Sequence, residues 1–330
     1  MKIIPIKVNR KSYYLLDEDP IQKNLIFLSN LQPLYYHELT KILYKQLQKS
    51  KDENKPCHHI AVQMRTIYGQ AIESLFAYIF ALLQSPFSIV AWIQKYHDRD
   101  LKSLIQEFDR NKTIKYSKLQ MLKPGWNGLS ETINNFDAGN KENATFIKEN
   151  FASFWSLLGR EYTNYKVYKE YCHIKHGFRI AHGGFKFILT TTEDIKKGKE
   201  ILSGESDYGA KIYIDEDVRN TPKELNLFSL RETFFNWDIE LLYKRIEVIS
   251  YSINNVISFS KGLNKNDFTK EEFIVPDPLS LFDEAKYPKS GVHTFDIGKS
   301  YEYETLKGIN IDNIEDYYKE KIINIPKEYK

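Results

Sequence analysis

Cysteine is nearly absent from this chain, with two among 330 residues, Cys57 and Cys172. Two cysteines do not make a disulfide framework, so the expected compartment is a reducing one. Net charge is small as well, at +3. That is too little to attract nucleic acid by bulk electrostatics and leaves only a local basic groove open. The longest strongly apolar run, Leu75 to Leu83, is far short of the roughly 20 residues that cross a bilayer. Near the start, Lys2, Pro5 and Lys7 stand where a signal peptide needs an apolar core. These absences predict a cytoplasmic protein without membrane attachment.

Familiar motifs are missing too. There is no GxGxxG, Walker A, GxSxG or HExxH pattern, no internal repeat and no sustained heptad. Nucleotide binding and common hydrolase chemistry therefore lose their usual support, and no cofactor is expected. Asp and Glu are spread evenly, so no carboxylate pair stands out as a two-metal or glycosidase site.

What is present is a globular composition, 42% hydrophobic and 28% charged, with a helical period over most of its length. Asp19-Pro20 reads as a helix start, and a second helix follows from about Leu34 to Gln48. The strongest pattern, Ile60 to Gln84, is apolar at almost every position beyond Leu75 and predicts a central helix. Arg65 and Glu73 lie on one face of it, two turns apart. They sit either at its solvent rim or toward a polar site. Short helices are expected at Phe87 to Tyr96 and Leu101 to Phe108. Pro124-Gly125 and Asn127-Gly128 read as turns around Trp126. Helical period resumes from Lys141 to Leu158, and Gly159 separates it from a further helix, Arg160 to His176.

After Gly177 the texture alternates as strands do, through Phe178, Ile180, Phe185, Phe187 and Leu189, with another strand at Ala210 to Ile214. Thr221-Pro222-Lys223-Glu224 is an N-terminal helix signature, followed by apolar period from Leu225 to Phe259 with a break near Asn236 and a cap at Gly262. The expectation is a mainly α fold, a helical bundle with a small inserted β-element and an irregular C-terminal tail. Its parts are an extended arm (1–19), a helical body (20–262) with the β-insert at about 178–217, and a C-terminal segment (263–330) packing on the body.

The concentrated chemistry lies in Tyr171-Cys172-His173-Ile174-Lys175-His176-Gly177. His173 and His176 share a helix face, and His182 follows the Gly177 turn. Cations in a last helical turn complement the helix dipole, so Lys175 and His176 also fit as ordinary helix-end residues. Three histidines raise the question of zinc, but no carboxylate or further cysteine stands at supporting spacing, so no metal site is expected. Cys57-His58-His59 is a second cluster, whose side chains point in different directions on a helix.

The Tyr171-to-Gly177 helix resembles the signature helix of HEPN-type proteins, helical bundles that include metal-independent ribonucleases of toxin–antitoxin and anti-phage systems. Their motif is an arginine, a polar residue, three variable residues and a histidine. Here Tyr171 stands at the arginine position, Cys172 at the polar position and His176 at the histidine. The resemblance implies an RNA-cleaving defence or toxin effector, assembled as a homodimer that pairs the two signature helices. In it His176, Lys175 and His173 would be catalytic, and Tyr171, Arg179, His182 and Arg65 would hold the RNA. Histidine titrates near neutrality and can move a proton in either direction. Lys175 or Arg179 would replace the missing arginine at the phosphate. The other reading is a non-catalytic helical protein of the same fold, acting through a partner protein or a sensed ligand.

Overall fold

The computed structural model describes residues 3–8, 11–16, 19–52, 57–112, 114, 117–121, 123–136, 141–176, 179–189, 202–216, 227–287 and 294–302. The protein is mainly helical with a minor antiparallel β component, and the chain divides into two units, Met1–His176 with Trp237–Ser290, and Gly177–Asn236 with Gly291–Lys330.

The first unit opens with an antiparallel pair, β1 (Ile3–Val8) and β2 (Lys11–Leu16). Helix α1 (Pro20–Ser29) starts where expected, with the Asp19 carboxylate accepting from the Ile21 N–H at 2.9 Å. Then come α2 (Tyr35–Asp52), α3 (His58–Gln84), α4 (Ile89–Trp92) with a 3₁₀ turn, α5 (Asp98–Asp109) and α6 (Gly125–Ile133). The unit closes with α7 (Lys141–Thr163), α8 (Tyr165–Lys175), α9 (Ile239–Lys265) and α10 (Leu281–Lys286).

Helix α3 is the axis of the bundle. It packs against α2, α4, α5, α7, α8 and α9, and its apolar half from Leu75 to Leu83 is almost wholly enclosed. Among the described residues it is the one helix long and apolar enough to cross a membrane, and most of its apolar window is covered by the rest of the bundle. Helix α9 runs beside it with an unusual number of buried hydroxyls and amides, each of them paired. The Trp155 N–H of α7 donates to Ser252 Oγ (2.9 Å). The Asn255 amide donates to Asn134 Oδ1 and to the Ile274 carbonyl. The His37 N–H of α2 donates to Ser250 Oγ. These bonds tie α2, α6 and α7 to one helix.

Several sequence expectations are corrected here. Gly159 does not end a helix but lies inside α7, where an added Cβ would come within 3.0 Å of Ile105 and 3.5 Å of Trp126. The glycine is there to let α7 approach α5 and α6. The break falls instead at Asn164, whose side chain accepts from the Lys166 and Val167 N–H groups as an N-cap. The glycines around Trp126 belong to α6 rather than to turns. Trp126 is nearly buried, and its N–H donates to Asp109 Oδ1 at 3.0 Å. Gly262 does not cap α9, which continues to Lys265 and ends at Asn266 with φ of 52°. Gly177, expected to stop the preceding helix, and the Thr221–Glu224 signature lie outside the described residues.

The second unit is built on a four-stranded antiparallel sheet. Its strands are β3 (Ala181–His182), β6 (Gly209–Glu216), β7 (Leu227–Asn236) and β8 (Thr294–Glu302), in that order across the sheet. A separate pair, β4 (Lys186–Leu189) and β5 (Leu202–Glu205), lies between β3 and β6 in the chain. The stretch from Leu227 to Asn236 was expected to be helical and is a strand. Its alternation puts Thr233 and Phe235 on the buried face, in register with Ile212 and Ala210. Its second partner, β8, lies within the segment expected to be an irregular tail. Non-local pairing of this kind outweighs local helical period. Helix α9 starts only at Ile239, capped by the Asp238 carboxylate on the Leu241 N–H.

If Asn164 sets the α7–α8 boundary, Asn164→Ala should cost about 1 kcal/mol, the usual loss of an N-cap. Urea denaturation of both proteins measures this. Equal midpoints would show that the helices break for another reason.

Candidate functional site

Arg65, Gly69 and Glu73 recur at four-residue steps on α3, so they form one stripe. Helix α8 lies along that stripe. Gly69 makes the close approach, since a Cβ there would fall within 2.4 Å of two carbons of the Tyr171 ring. The ring therefore lies directly on the backbone of α3, and its hydroxyl donates to Glu73 Oε2 at 2.9 Å.

One turn deeper, Glu170 is completely buried, and one cation and one indole N–H converge on it. Arg65 grips it with two nitrogens, Nε to Oε1 at 3.1 Å and Nη2 to Oε2 at 2.5 Å, and the Trp237 N–H donates to Oε1 at 2.6 Å. A second pair lies alongside. Arg245 of α9 donates to Glu161 Oε1 at 2.6 Å, to the Tyr68 hydroxyl and to the Ala285 carbonyl, while the Tyr68 hydroxyl donates to Glu161 Oε2. Arg65 lies over the Tyr68 ring with its Cζ 5.1 Å from the centroid, joining the two. Burial works against the Arg65 charge, but the Glu170 carboxylate more than offsets it and holds the guanidinium above its ordinary range. The Tyr68 hydroxyl is pushed up, first by burial.

Toward solvent the stripe becomes half-exposed. Glu73 is held above the usual carboxylate range by burial, with Asp98 adding to the rise, while the Tyr171 hydroxyl and Lys175 oppose it. Lys175 Nζ lies 3.8 Å from Glu73 Oε2 and 5.5 Å from the Tyr171 centroid. Tyr168 donates to Asp98 Oδ2 at 2.9 Å, and Lys102 lies over the Tyr168 ring. Burial pushes the Lys102 amine down to about 8, against the opposing pull of Cys172 and Asp98. Two carboxyls, two amines, two tyrosines and Cys172 thus gather where the start of α5 meets α3 and α8.

The residues expected to form the site separate into three places. His173, Lys175 and His176 share the last turn of α8. His173 is half-buried, and Lys175 and His176 are exposed, with the His176 N–H donating to the Cys172 carbonyl at 3.1 Å. Tyr171 and Arg65 are inside the bundle. Arg179 and His182 are exposed in the second unit, His182 on β3 standing opposite Ala210 of β6. Of the Cys57-His58-His59 cluster, Cys57 precedes α3 as its cap residue and the histidines open the helix. Among the described residues no three His, Cys, Asp or Glu side chains gather as a metal site.

Asp98, Lys102 and Tyr168 are members of the cluster that sequence reasoning missed. A faint signal existed: Asp98 and Lys102 are one turn apart on α5, and Tyr168 precedes Tyr171 by three. Comparison with models of known families, with curated proteins and with solved structures finds no match to this chain.

Two outcomes are expected. Arg65→Met leaves the Glu170 carboxylate buried without its partner, and should lower stability by about 3–5 kcal/mol in chemical denaturation. A loss below about 1 kcal/mol would mean that Glu170 finds another partner. Glu73 gives a pH signature. Because its folded value is raised, the folded state binds more protons than the unfolded chain above about pH 4.3. Its contribution to stability is therefore present at low pH and lost as pH rises through the raised value. Glu73→Gln, which cannot titrate there, should gain stability relative to the wild type as pH increases from about 4 upward. A difference independent of pH would show that Glu73 is unperturbed.

Proposed function

We propose that the protein is a HEPN-like effector that cleaves RNA without a metal ion, acting from the exposed last turn of α8. The observation that supports this reading is the division of α8 into two faces. Glu170 and Tyr171 hold its inner face against α3, while Lys175 and His176 stay open to solvent beside half-buried His173.

Cleavage of this kind moves the 2′-hydroxyl proton away as that oxygen attacks phosphorus, and returns a proton to the departing 5′-oxygen. His176 is suited to one transfer, and His173 or the partner copy's equivalent of His176 to the other. Lys175 supplies the cation for the phosphate. Its contact with Glu73 is long and half-exposed, so a phosphate competes with it at modest cost. In this reading Tyr171 has exchanged the motif arginine's role for a structural one, seating α8 on α3. A homodimer pairing two α8 helices would build the composite site. The setting would be cytoplasmic, in a defence or toxin system.

One observation favours a second reading. Tyr171 occupies the arginine position and its ring is enclosed, so it cannot stack on a base there. A non-catalytic protein of the same fold, which binds a partner protein or senses a ligand through this turn, accounts for that loss.

The two readings separate on His176→Ala. In the catalytic one, this variant stops RNA degradation, or growth arrest on expression, and melts within a few degrees of the wild type. Lys175→Ala weakens activity, most visibly at low salt. Undiminished activity in His176→Ala would refute the catalytic reading, and a strictly monomeric chain in light scattering would remove the paired site.

A further inference from the structure

A second feature of the bundle lies on the neighbouring stripe of α3. Ser74 and Tyr78, one turn apart, face away from α8 toward α2 and α9, and there they line an open groove of about 270 Å³. Ile253 and Ile257 of α9 form its buried floor. The rings of Tyr36 and Tyr78 wall it, and the Tyr36 and Ser74 hydroxyls are hydrogen-bonded at 2.7 Å. Tyr35 stands at the rim, 53% exposed, its ring edge-on to Tyr36 with centroids 5.3 Å apart. The amides of Asn30 and Gln32 complete the rim, both exposed.

We infer that this groove receives one unpaired nucleobase of a single-stranded RNA, an inference that rests on the RNA-directed reading of the α8 turn. Three features support that occupant. None of the lining residues is charged, so the groove suits a neutral ring and not a phosphate. Its volume falls just under the roughly 300 Å³ at which pockets for drug-sized ligands begin, so it holds one ring system rather than an extended cofactor. Its wall and rim combine aromatic faces with amides, the pairing by which proteins stack splayed bases and read their edges.

Position connects the groove to the α8 turn. Glu73 and Ser74 are consecutive on α3. Glu73 has Lys175 on one flank, and on the other Tyr36 is close enough for the Glu73 charge to help burial raise its hydroxyl. Tyr78 is pushed up to about 12 by burial. Both hydroxyls are protonated at neutral pH, as an ordinary phenol is. A strand with a base in the groove would direct its phosphate to the Lys175 amine, which in pairing with it gives up its long contact with Glu73.

The test uses the full chain and a single-stranded RNA octamer carrying one 2-aminopurine, read by fluorescence quenching, with thermal melts alongside. The wild type should quench the probe. Tyr35→Ala, at an exposed position, should melt normally and bind about 5- to 150-fold more weakly, the usual effect of losing one stacking ring. Gln32→Ala should weaken binding less and alter the preference among bases. Equal affinity of Tyr35→Ala and wild type would overturn the inference. So would a free purine nucleoside that binds as tightly as the octamer, since the site would then serve a small molecule. His176→Ala keeps this result distinct from the cleavage reading. Tyr35-dependent binding without cleavage by the wild type would retain the groove and refute the nuclease. His176-dependent cleavage indifferent to Tyr35 would do the reverse.

Discussion

The burial of Glu170 constrains everything around α8. A carboxylate wholly removed from water demands a cation and further donors, and only a fixed geometry supplies them. Arg65 provides a two-point grip and Trp237 a third bond, so α3, α8 and the start of the α9 segment must meet in one register. The adjoining Arg245–Glu161–Tyr68 group extends the same demand to α7, α9 and α10. Such pairs add little net stability compared with apolar packing. Their effect is to penalise any arrangement that leaves one member alone.

With the inner face of α8 held in this way, its outer turn is free to carry polar chemistry. Tyr171 is the hinge between the two regimes. Its ring rests on Gly69, and its hydroxyl reaches the half-exposed Glu73. Beyond it the same helix presents Lys175 and His176 to solvent. A strained or unusual backbone is not needed for this. Stepping along one helix by five or six residues, from Glu170 to Lys175 and His176, carries a side chain from an enclosed ion pair to open water.

Helix α3 serves two neighbouring surfaces at once because a helix turns 100° per residue. The stripe of Arg65, Gly69 and Glu73 belongs to α8, while Ser74 and Tyr78 belong to the tyrosine-walled groove. Consecutive residues thus contribute to a charged cluster and to an uncharged groove. That adjacency underlies the inference that a single RNA strand would use both.

How much was legible beforehand depended on whether the deciding interaction was local. The apolar period of residues 60–84, the Asp19-Pro20 start and the mainly helical character are properties of neighbouring residues, and the sequence alone determined them. It also singled out the last turn of α8, because helix-end composition is local too. What it could not determine was which partner each charged residue would find. Arg65 and Glu170 are 105 positions apart, and nothing in either segment names the other. The period from Leu225 onward read as helix because its true partners, β6 and β8, are set by strand pairing across the chain. Gly159 looked like a helix break, and Gly69 drew no reading, until the packed rings of Trp126 and Tyr171 showed what their missing side chains admit. Period and capping act over a few residues, so the sequence determined where most helices would form. Burial and pairing act across the whole chain, so only the tertiary structure decided which faces closed and which stayed open.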